Sequence, residues 1–171
     1  NAPRIRIFEP LSQFYYDYAA PRIAAQERKS VLDVLPVLPE PAIPTELLAE
    51  AAEYADVAII AIHRYSGEGW DRSAQKGDFY LTDEEQKLVD DVTAVFPHSV
   101  AVLNVGGMVD VSWIRENPKI DGALLAWQAG MEGGLAIADI LCGDVNPSGK
   151  LVDTFAKSFS DYPAADTFNE S

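Results

Sequence analysis

Three short runs are apolar at most positions: Val57-Ala-Ile-Ile-Ala-Ile62, Ser99-Val-Ala-Val-Leu-Asn104 and Ile120-Asp-Gly-Ala-Leu-Leu-Ala126. Runs of this length without strict alternation fit strands covered on both faces. Between them the period changes to that of helices. Thr45 reads as an N-cap for a helix over 46–54, and Thr82 with Glu85 three residues later matches a capping box for a helix reaching about Phe96. A third helix spans 133–141 and stops at Gly143, near Pro147. Strands alternating with helices predict an α/β fold: a three-layer α/β/α sandwich on a mostly parallel sheet, with the three runs adjacent at its centre.

The first 45 residues are less regular. Arg4-Ile-Arg-Ile-Phe8 alternates like a short strand, and residues 11–29 have helical spacing interrupted by Pro21. Residues 31–44 carry prolines at 36, 39, 41 and 44, which predicts an extended connection. No internal repeat or low-complexity tract interrupts the series.

In parallel sheets ligands gather at the carboxyl ends of the strands. Three loops leave those ends: the one after Ile62, the Gly106-Gly107 loop after Asn104, and Trp127-Gln-Ala-Gly-Met-Glu132. A functional site is expected where they meet.

Composition narrows the partners. The 171 residues fit one domain, and 13 Lys plus Arg against 27 Asp plus Glu leave a net charge of -14. That charge would repel a phosphate backbone or an anionic lipid surface, so neither nucleic acid nor a membrane is expected as a partner. No apolar run approaches the ~20 residues of a membrane-spanning helix. Cys142 is the only cysteine, so no intrachain disulfide forms, and it reads as a buried small residue. His63 and His98 lie far apart, without a zinc-binding spacing, and no metal or cofactor is expected. The chain opens on Asn1-Ala-Pro-Arg with neither an initiator Met nor a signal-like segment, and reads as a piece of something larger.

Several motifs fail on inspection. Gly143-Asp-Val-Asn-Pro-Ser-Gly-Lys-Leu151 has five residues between its glycines where a phosphate-binding loop needs four, and Leu151 stands where Ser or Thr would hold magnesium. Gly67-Glu-Gly69 is not a dinucleotide fingerprint, because Arg72 occupies the third glycine's place. No GxSxG elbow exists, which disfavours a Ser-centred hydrolase. Asn169-Glu-Ser171 matches a glycosylation sequon formally. Asp83-Glu-Glu85 reads as the charged first turn of a helix, and Asp90-Asp91 as a solvated face.

Ser66-Gly-Glu-Gly-Trp-Asp-Arg72 carries chemistry. A lone carboxylate between glycines can project into a cleft. Trp70 and Tyr65 offer flat apolar surface of the kind that holds sugar rings and raises a carboxyl pKa by desolvation. The alternative is a surface loop whose Glu68 pairs with Arg64 or Arg72. Trp127, just past a strand end, could equally stack on a ligand or fill the core.

Read together, these segments resemble the second, C-terminal-type α/β sandwich domain of glycoside hydrolase family 3, the β-glucosidase and β-xylosidase family. The resemblance rests on Ser66–Arg72, Lys76-Gly-Asp-Phe-Tyr-Leu81, Leu103-Asn-Val-Gly-Gly107, Ala126-Trp-Gln-Ala-Gly-Met-Glu-Gly-Gly134, Ala136-Ile-Ala-Asp-Ile-Leu141 and Gly143–Leu151 with Thr154-Phe155. They run in order from about Val57 to Phe155, while the first 45 residues match only loosely.

The resemblance implies a flavodoxin-like sandwich over residues 1–171, packed against a (β/α)8 barrel that carries a nucleophilic Asp and is absent from this chain. It implies a retaining, exo-acting β-glycosidase with a carbohydrate substrate and with Glu68 as the acid/base, ahead of Asp71, Asp78 and Glu132. Arg64, Tyr65, Trp70 and Trp127 are the substrate-binding candidates. A strand and a Ser-bearing loop that relatives place before this point are expected to precede Asn1. Met108 after the glycine pair, where many members carry Pro nearby, and Asp161-Tyr162-Pro163 resemble the subset whose barrel follows the sandwich. Two alternatives stand beside this reading. One is a non-catalytic carbohydrate-binding or interface domain of a glycosidase; the other is a flavodoxin-like regulatory domain, for which neither an acidic pocket nor a phosphate loop is present.

Overall fold

The computed structural model describes residues 6–27, 30, 33–67, 71–165 and 167. Glu68, Trp70, Arg4, Ile5 and the sequon at 169–171 lie outside them. The elements are α1 (Glu9–Ala24), α2 (Thr45–Tyr54), β1 (Val57–Arg64), α3 (Asp83–Val95), β2 (His98–Val105), α4 (Ser112–Arg115), β3 (Ile120–Leu125) and α5 (Gly133–Leu141). The strands form a parallel sheet in the order β1-β2-β3. β1 and β2 pair without interruption from Val57 opposite His98 to Arg64 opposite Val105. The β2–β3 register shifts once, between Ser99 and Val100. The sheet flanked by helices is the α/β architecture that the alternation predicts, of the flavodoxin-like sandwich type.

The core lies on one face of the sheet. Ile60 and Ile62 of β1, Ala101, Leu103 and Val105 of β2 and Ile120 of β3 meet Leu48 and Ala51 of α2, Val89 and Val92 of α3, and Trp113 of α4. The opposite face of β1 departs from the expected two-sided cover. Val57 and Ile59 are 47% and 50% exposed, and β1 alternates exposed and buried positions towards its end. Among the described residues only β2 has a strand on both sides, so β1 and β3 are outer strands rather than central ones. Their apolar composition is that of interior strands, but the described residues cover one face of β1 only.

Helix boundaries follow local chemistry. The capping box at α3 forms as its sequence requires: the Thr82 hydroxyl accepts from the Glu85 N–H at 3.1 Å, and Glu85 Oε2 accepts from the Thr82 N–H at 2.8 Å. Thr45 is the first helical residue rather than a cap, because Pro44 takes the N-cap place. Pro21 does not break α1; near the end of the helix it costs one backbone bond, and the helix runs on to Ala24. Arg6–Phe8 are not in a strand, and the residues described from 33 to 44 form the extended connection expected of their prolines. At α5, Gly143 adopts φ +72° and donates to the Ile140 carbonyl, the left-handed stop for which glycine is suited. Only Gly133 of α5 is buried and Leu135 is 67% exposed, so this helix contributes no side chain to the core. Short α4 escaped prediction. Asp110 starts it by accepting from the Ser112 N–H and hydroxyl, which lets Trp113 bury its ring.

Glu85 also receives Arg64 from the end of β1 in a fork, each Nη 2.6 Å from a carboxylate oxygen. The side chains are 6% and 14% exposed, so one carboxylate caps α3 and neutralises a buried guanidinium. A half-buried carboxyl lies beside α1, where the Tyr15 hydroxyl donates to Glu40. Burial raises the Glu40 pKa against the opposing effect of that bond, with the charge of Glu85 adding to the rise. Burial first, then the bond and charge of Glu40, push the Tyr15 phenol well above its ordinary range.

Two outcomes follow. Thr82→Ala should cost about 1 kcal/mol, as cap losses do. Glu85→Ala should cost more, about 3–5 kcal/mol, because it leaves a buried guanidinium unpaired; urea midpoints separate the two, and equal losses would contradict the shared role. Folded Glu40 binds its proton more tightly than unfolded Glu40. Stability should therefore fall as pH rises from the ordinary glutamate range, about pH 4, through the raised folded value. Glu40→Gln should remove that component of the slope in urea titrations at stepped pH, and an unchanged slope would contradict it.

Candidate active site

The loops at the carboxyl ends of β1, β2 and β3 come together through backbone and side-chain contacts. After β3 the chain turns at Trp127, whose φ of 52° is left-handed and costly for a bulky residue. That turn carries Gln128 across to the β1 loop, where its Nε2 donates to the Ser66 carbonyl at 2.9 Å. Gly106 lies between them. A Cβ there would stand 2.5 Å from Ser66 Cβ and 2.9 Å from Gln128 Cδ, so the close approach of the three loops requires glycine.

Arg64 anchors the stem of the β1 loop. Its Nε donates to the Asp78 carbonyl at 2.9 Å, Nη1 to the His63 carbonyl and Glu85 Oε1, and Nη2 to the Tyr80 carbonyl and Glu85 Oε2. With all five N–H groups engaged, this guanidinium has no donor left for a sugar. The expectation of substrate contact at Arg64 therefore gives way to a structural role, forced by burial of the charge beside Glu85.

Arg72 closes the other end of the loop. One amino group donates to Asp78 Oδ1 at 2.7 Å and the other to the Ser66 hydroxyl at 2.6 Å. Asp78 Oδ2 accepts from both the N–H and the hydroxyl of Ser73. Asp78 thus serves both arginines, Arg64 through its carbonyl and Arg72 through its carboxylate. It is held by a tight turn in which Gly77, at φ +84°, donates to the Tyr80 carbonyl. Burial alone would raise the Asp78 pKa. The bond from Arg72, the two from Ser73 and the charge of Arg72 outweigh it and hold the carboxyl below its ordinary range. The contribution of the network is thus present above the ordinary aspartate range and is lost only as pH falls through the lowered value.

These groups line an open cleft of about 590 Å³ bounded by Ser66, Asp71, Arg72, Gly106, Gly107 and Gln128. Its apolar wall comes from the tail of the chain. Phe159 and Tyr162 pack edge-on against buried Phe79, with ring centroids 5.1 and 6.1 Å away. The cleft has hydrogen-bonding groups on one side and aromatic surface on the other, a combination suited to a polyhydroxylated ligand. Among the described residues no cluster of three or more His, Cys, Asp or Glu could hold a metal ion.

Of the sequence candidates, Tyr65 is 39% exposed, with its hydroxyl close over Gly67, and Trp127 is half-buried at the β3 exit. Neither lines this cleft. Glu68 and Trp70 lie outside the described residues. Sequence reading gave Ser66 and Gln128 no role, since a lone Ser and a lone Gln carry no pattern of their own. The 62-residue separation of their contact hides it from any local signal.

Comparison with known proteins agrees with this arrangement. The family model described as "Glycosyl hydrolase family 3 C-terminal domain" matches residues 15–171. Beta-glucosidase A of Butyrivibrio fibrisolvens is 44% identical over 97% of this chain, and a beta-glucosidase of Ruminococcus albus is 41% identical over 72%. This chain spans only 22% of the first relative's length and 13% of the second's. Among solved structures, beta-glucosidase 3B from Thermotoga neapolitana in complex with glucose superposes with a TM-score of 0.81 at 41% identity, covering 91% of this chain and 22% of that one. A beta-glucosidase from Paenibacillus barengoltzii gives 0.81 at 33% identity, covering 95% and 18%. With the family model matched over nearly all of its length, the chain belongs to the C-terminal domain family of the family 3 glycosyl hydrolases.

Proposed function

We propose that this chain is one wall of the active site of a retaining, exo-acting β-glycosidase, contributing the acid/base Glu68 opposite an Asp nucleophile on a (β/α)8 barrel domain. The observation that carries this reading is the likeness to beta-glucosidases across 97% of the chain, with the Ser-Gly-Glu-Gly loop at the carboxyl end of β1. Sandwich and barrel would meet across the cleft, and a terminal β-linked sugar would bind between them. Trp70 is proposed to supply flat surface to that sugar, and Tyr65 and Trp127, which do not line the cleft, to supply it to the leaving group beyond it.

Retention requires two carboxyl groups about 5–5.5 Å apart. In the first step the barrel's Asp attacks the anomeric carbon while Glu68 delivers its proton to the departing glycosidic oxygen. A glycosyl ester forms on the Asp and the alcohol leaves. In the second step Glu68, now a carboxylate, takes a proton from water as its oxygen attacks the same carbon, and the Asp is released. A working acid must be protonated near the operating pH, and desolvation by the bound sugar and by Trp70 would raise the Glu68 pKa in the required direction. All atoms come from substrate, water and two side chains, so no cofactor enters.

Glu68→Ala in the complete protein should slow substrates with poor leaving groups by about 10²–10⁴-fold, the usual range for loss of acid–base catalysis. Activated aryl glycosides should keep a fast first step, and azide should restore turnover by replacing water. Equal loss for all leaving groups with no azide rescue, or both signatures appearing in Asp71→Ala instead, would show that another carboxylate holds the role. The isolated chain should not hydrolyse aryl β-glycosides above background, since half the reacting constellation is elsewhere. Robust activity of purified chain would refute the two-domain site.

A further inference from the structure

At Asp71 and Arg72 the cleft meets a second concavity, a groove of about 690 Å³ that shares both residues with it. One side of the groove is the extended run 34–40, and the other is the turn 71–78. Pro36 and Pro39 restrict the backbone of the first side, and α1 with the residues after it braces that side. Gln26 Nε2 donates to the Pro36 carbonyl at 2.9 Å, the Tyr18 hydroxyl to the Pro39 carbonyl at 2.7 Å, and the Tyr15 hydroxyl to Glu40. The turn is held by the pairing of Arg72 with Asp78 and by the two bonds from Ser73. A ligand would therefore have little of the groove to order.

The polar groups of the groove sort its ligands. Tyr65, 39% exposed, gives it a flat ring. His63, Asp71 and Gln75 also line it, all exposed and with no side-chain hydrogen bond or ion pair among the described residues. The amide and imidazole can both donate and accept, and the carboxylate accepts. Arg64, Arg72 and Lys76 are already paired, with Glu85, Asp78 and Asp83, whereas the Asp71 and Glu84 carboxylates are not paired among the described residues. An anionic ligand would meet carboxylates with no Lys or Arg left to answer it. A wholly apolar ligand would cover His63, Asp71 and Gln75 and leave them unpaired. A neutral sugar suits both kinds of surface, with hydroxyls for the polar groups and an apolar ring face for Tyr65.

We propose that this groove is a leaving-group subsite, in which the alcohol released is a neutral sugar or sugar chain whose ring lies on Tyr65 and whose hydroxyls bond His63, Asp71 and Gln75. This rests on the reading that the chain is one wall of a β-glycosidase. It names the substrate class: β-linked oligosaccharides rather than glycosides of anionic or wholly apolar alcohols. The terminal sugar occupies the cleft, and the rest of the substrate passes Asp71 and Arg72 into the groove. His63 and Gln75 touch no reacting atom in this account and act on specificity alone.

The test measures kcat/KM of the complete protein for three β-glucosides whose leaving alcohol is methanol, glucose or glucose 6-phosphate. Gln75→Ala and His63→Ala each remove an exposed side chain with no hydrogen bond or ion pair among the described residues. Each should lower the ratio of kcat/KM for the neutral disaccharide to that for methyl β-glucoside by about 3–10-fold, the scale of one hydrogen bond to substrate. Tyr65→Leu should lower the same ratio by about as much, and the two exposed positions decide the matter should it fail to fold. Wild type should use the phosphorylated disaccharide less well than the neutral one. An unchanged ratio in either Gln75→Ala or His63→Ala, or a wild type that favours the phosphorylated disaccharide, overturns the subsite and leaves the β-glycosidase reading standing. A complete protein that cleaves none of the three overturns both.

Discussion

A buried guanidinium sets the terms for this domain. Arg64 ends the first strand inside the protein, where an unpaired charge would be intolerable, and every element that meets it is drawn into place. Glu85 must come to it from α3, which fixes the start of that helix. The carbonyls of Asp78 and Tyr80 must face it, which fixes the turn before the helix. Because β1 pairs with β2 through Arg64 itself, the sheet register is tied to the same point. The carboxyl end of β1 is thus tied to α3, to the turn before it and to β2.

A second arginine is built on the first. The Asp78 backbone belongs to Arg64 and its carboxylate to Arg72, so the turn that satisfies the buried charge also receives the far end of the loop. Gly106 and the left-handed Trp127 bring the β2 and β3 loops against the same place. Strain and close packing at strand ends are what a site tolerates when geometry matters more than stability. The open face of β1 has a different character. Its exposed Val57 and Ile59 have the composition of a covered strand, and the chain spans about a fifth of the length of beta-glucosidase A of Butyrivibrio fibrisolvens.

Much of the fold was legible in the sequence because its signals are local. Apolar runs at 57–62, 99–104 and 120–126, the Thr82–Glu85 box and the Gly143 stop are each decided within a few residues, and they form where expected. What was misread depends on distance or on context. Two-sided apolarity told of an interior strand but not of which face the described chain would cover. Arg64 sits next to a sugar-binding pattern in sequence yet points into the core, because Glu85, twenty-one residues on, claims it. Helix α5 shows that a strongly apolar helix need not be a core helix. At the site, the three converging loops were foreseen from the parallel sheet, whereas the bonds that knit them were not. Ser66 to Gln128 and Arg72 to Asp78 are pairings between residue types too common to stand out.

In the proposed enzyme, Glu68 is the carboxylate that would face a nucleophilic Asp of a barrel domain across the scissile bond. A crystal structure of the complete protein with a glucoside bound would measure this directly. The separation expected between the Glu68 carboxyl and the nucleophilic Asp is about 5–5.5 Å, with Glu68 within hydrogen-bonding distance of the glycosidic oxygen. Finding Asp71, Asp78 or a barrel residue there instead, with Glu68 turned away from the sugar, would contradict it.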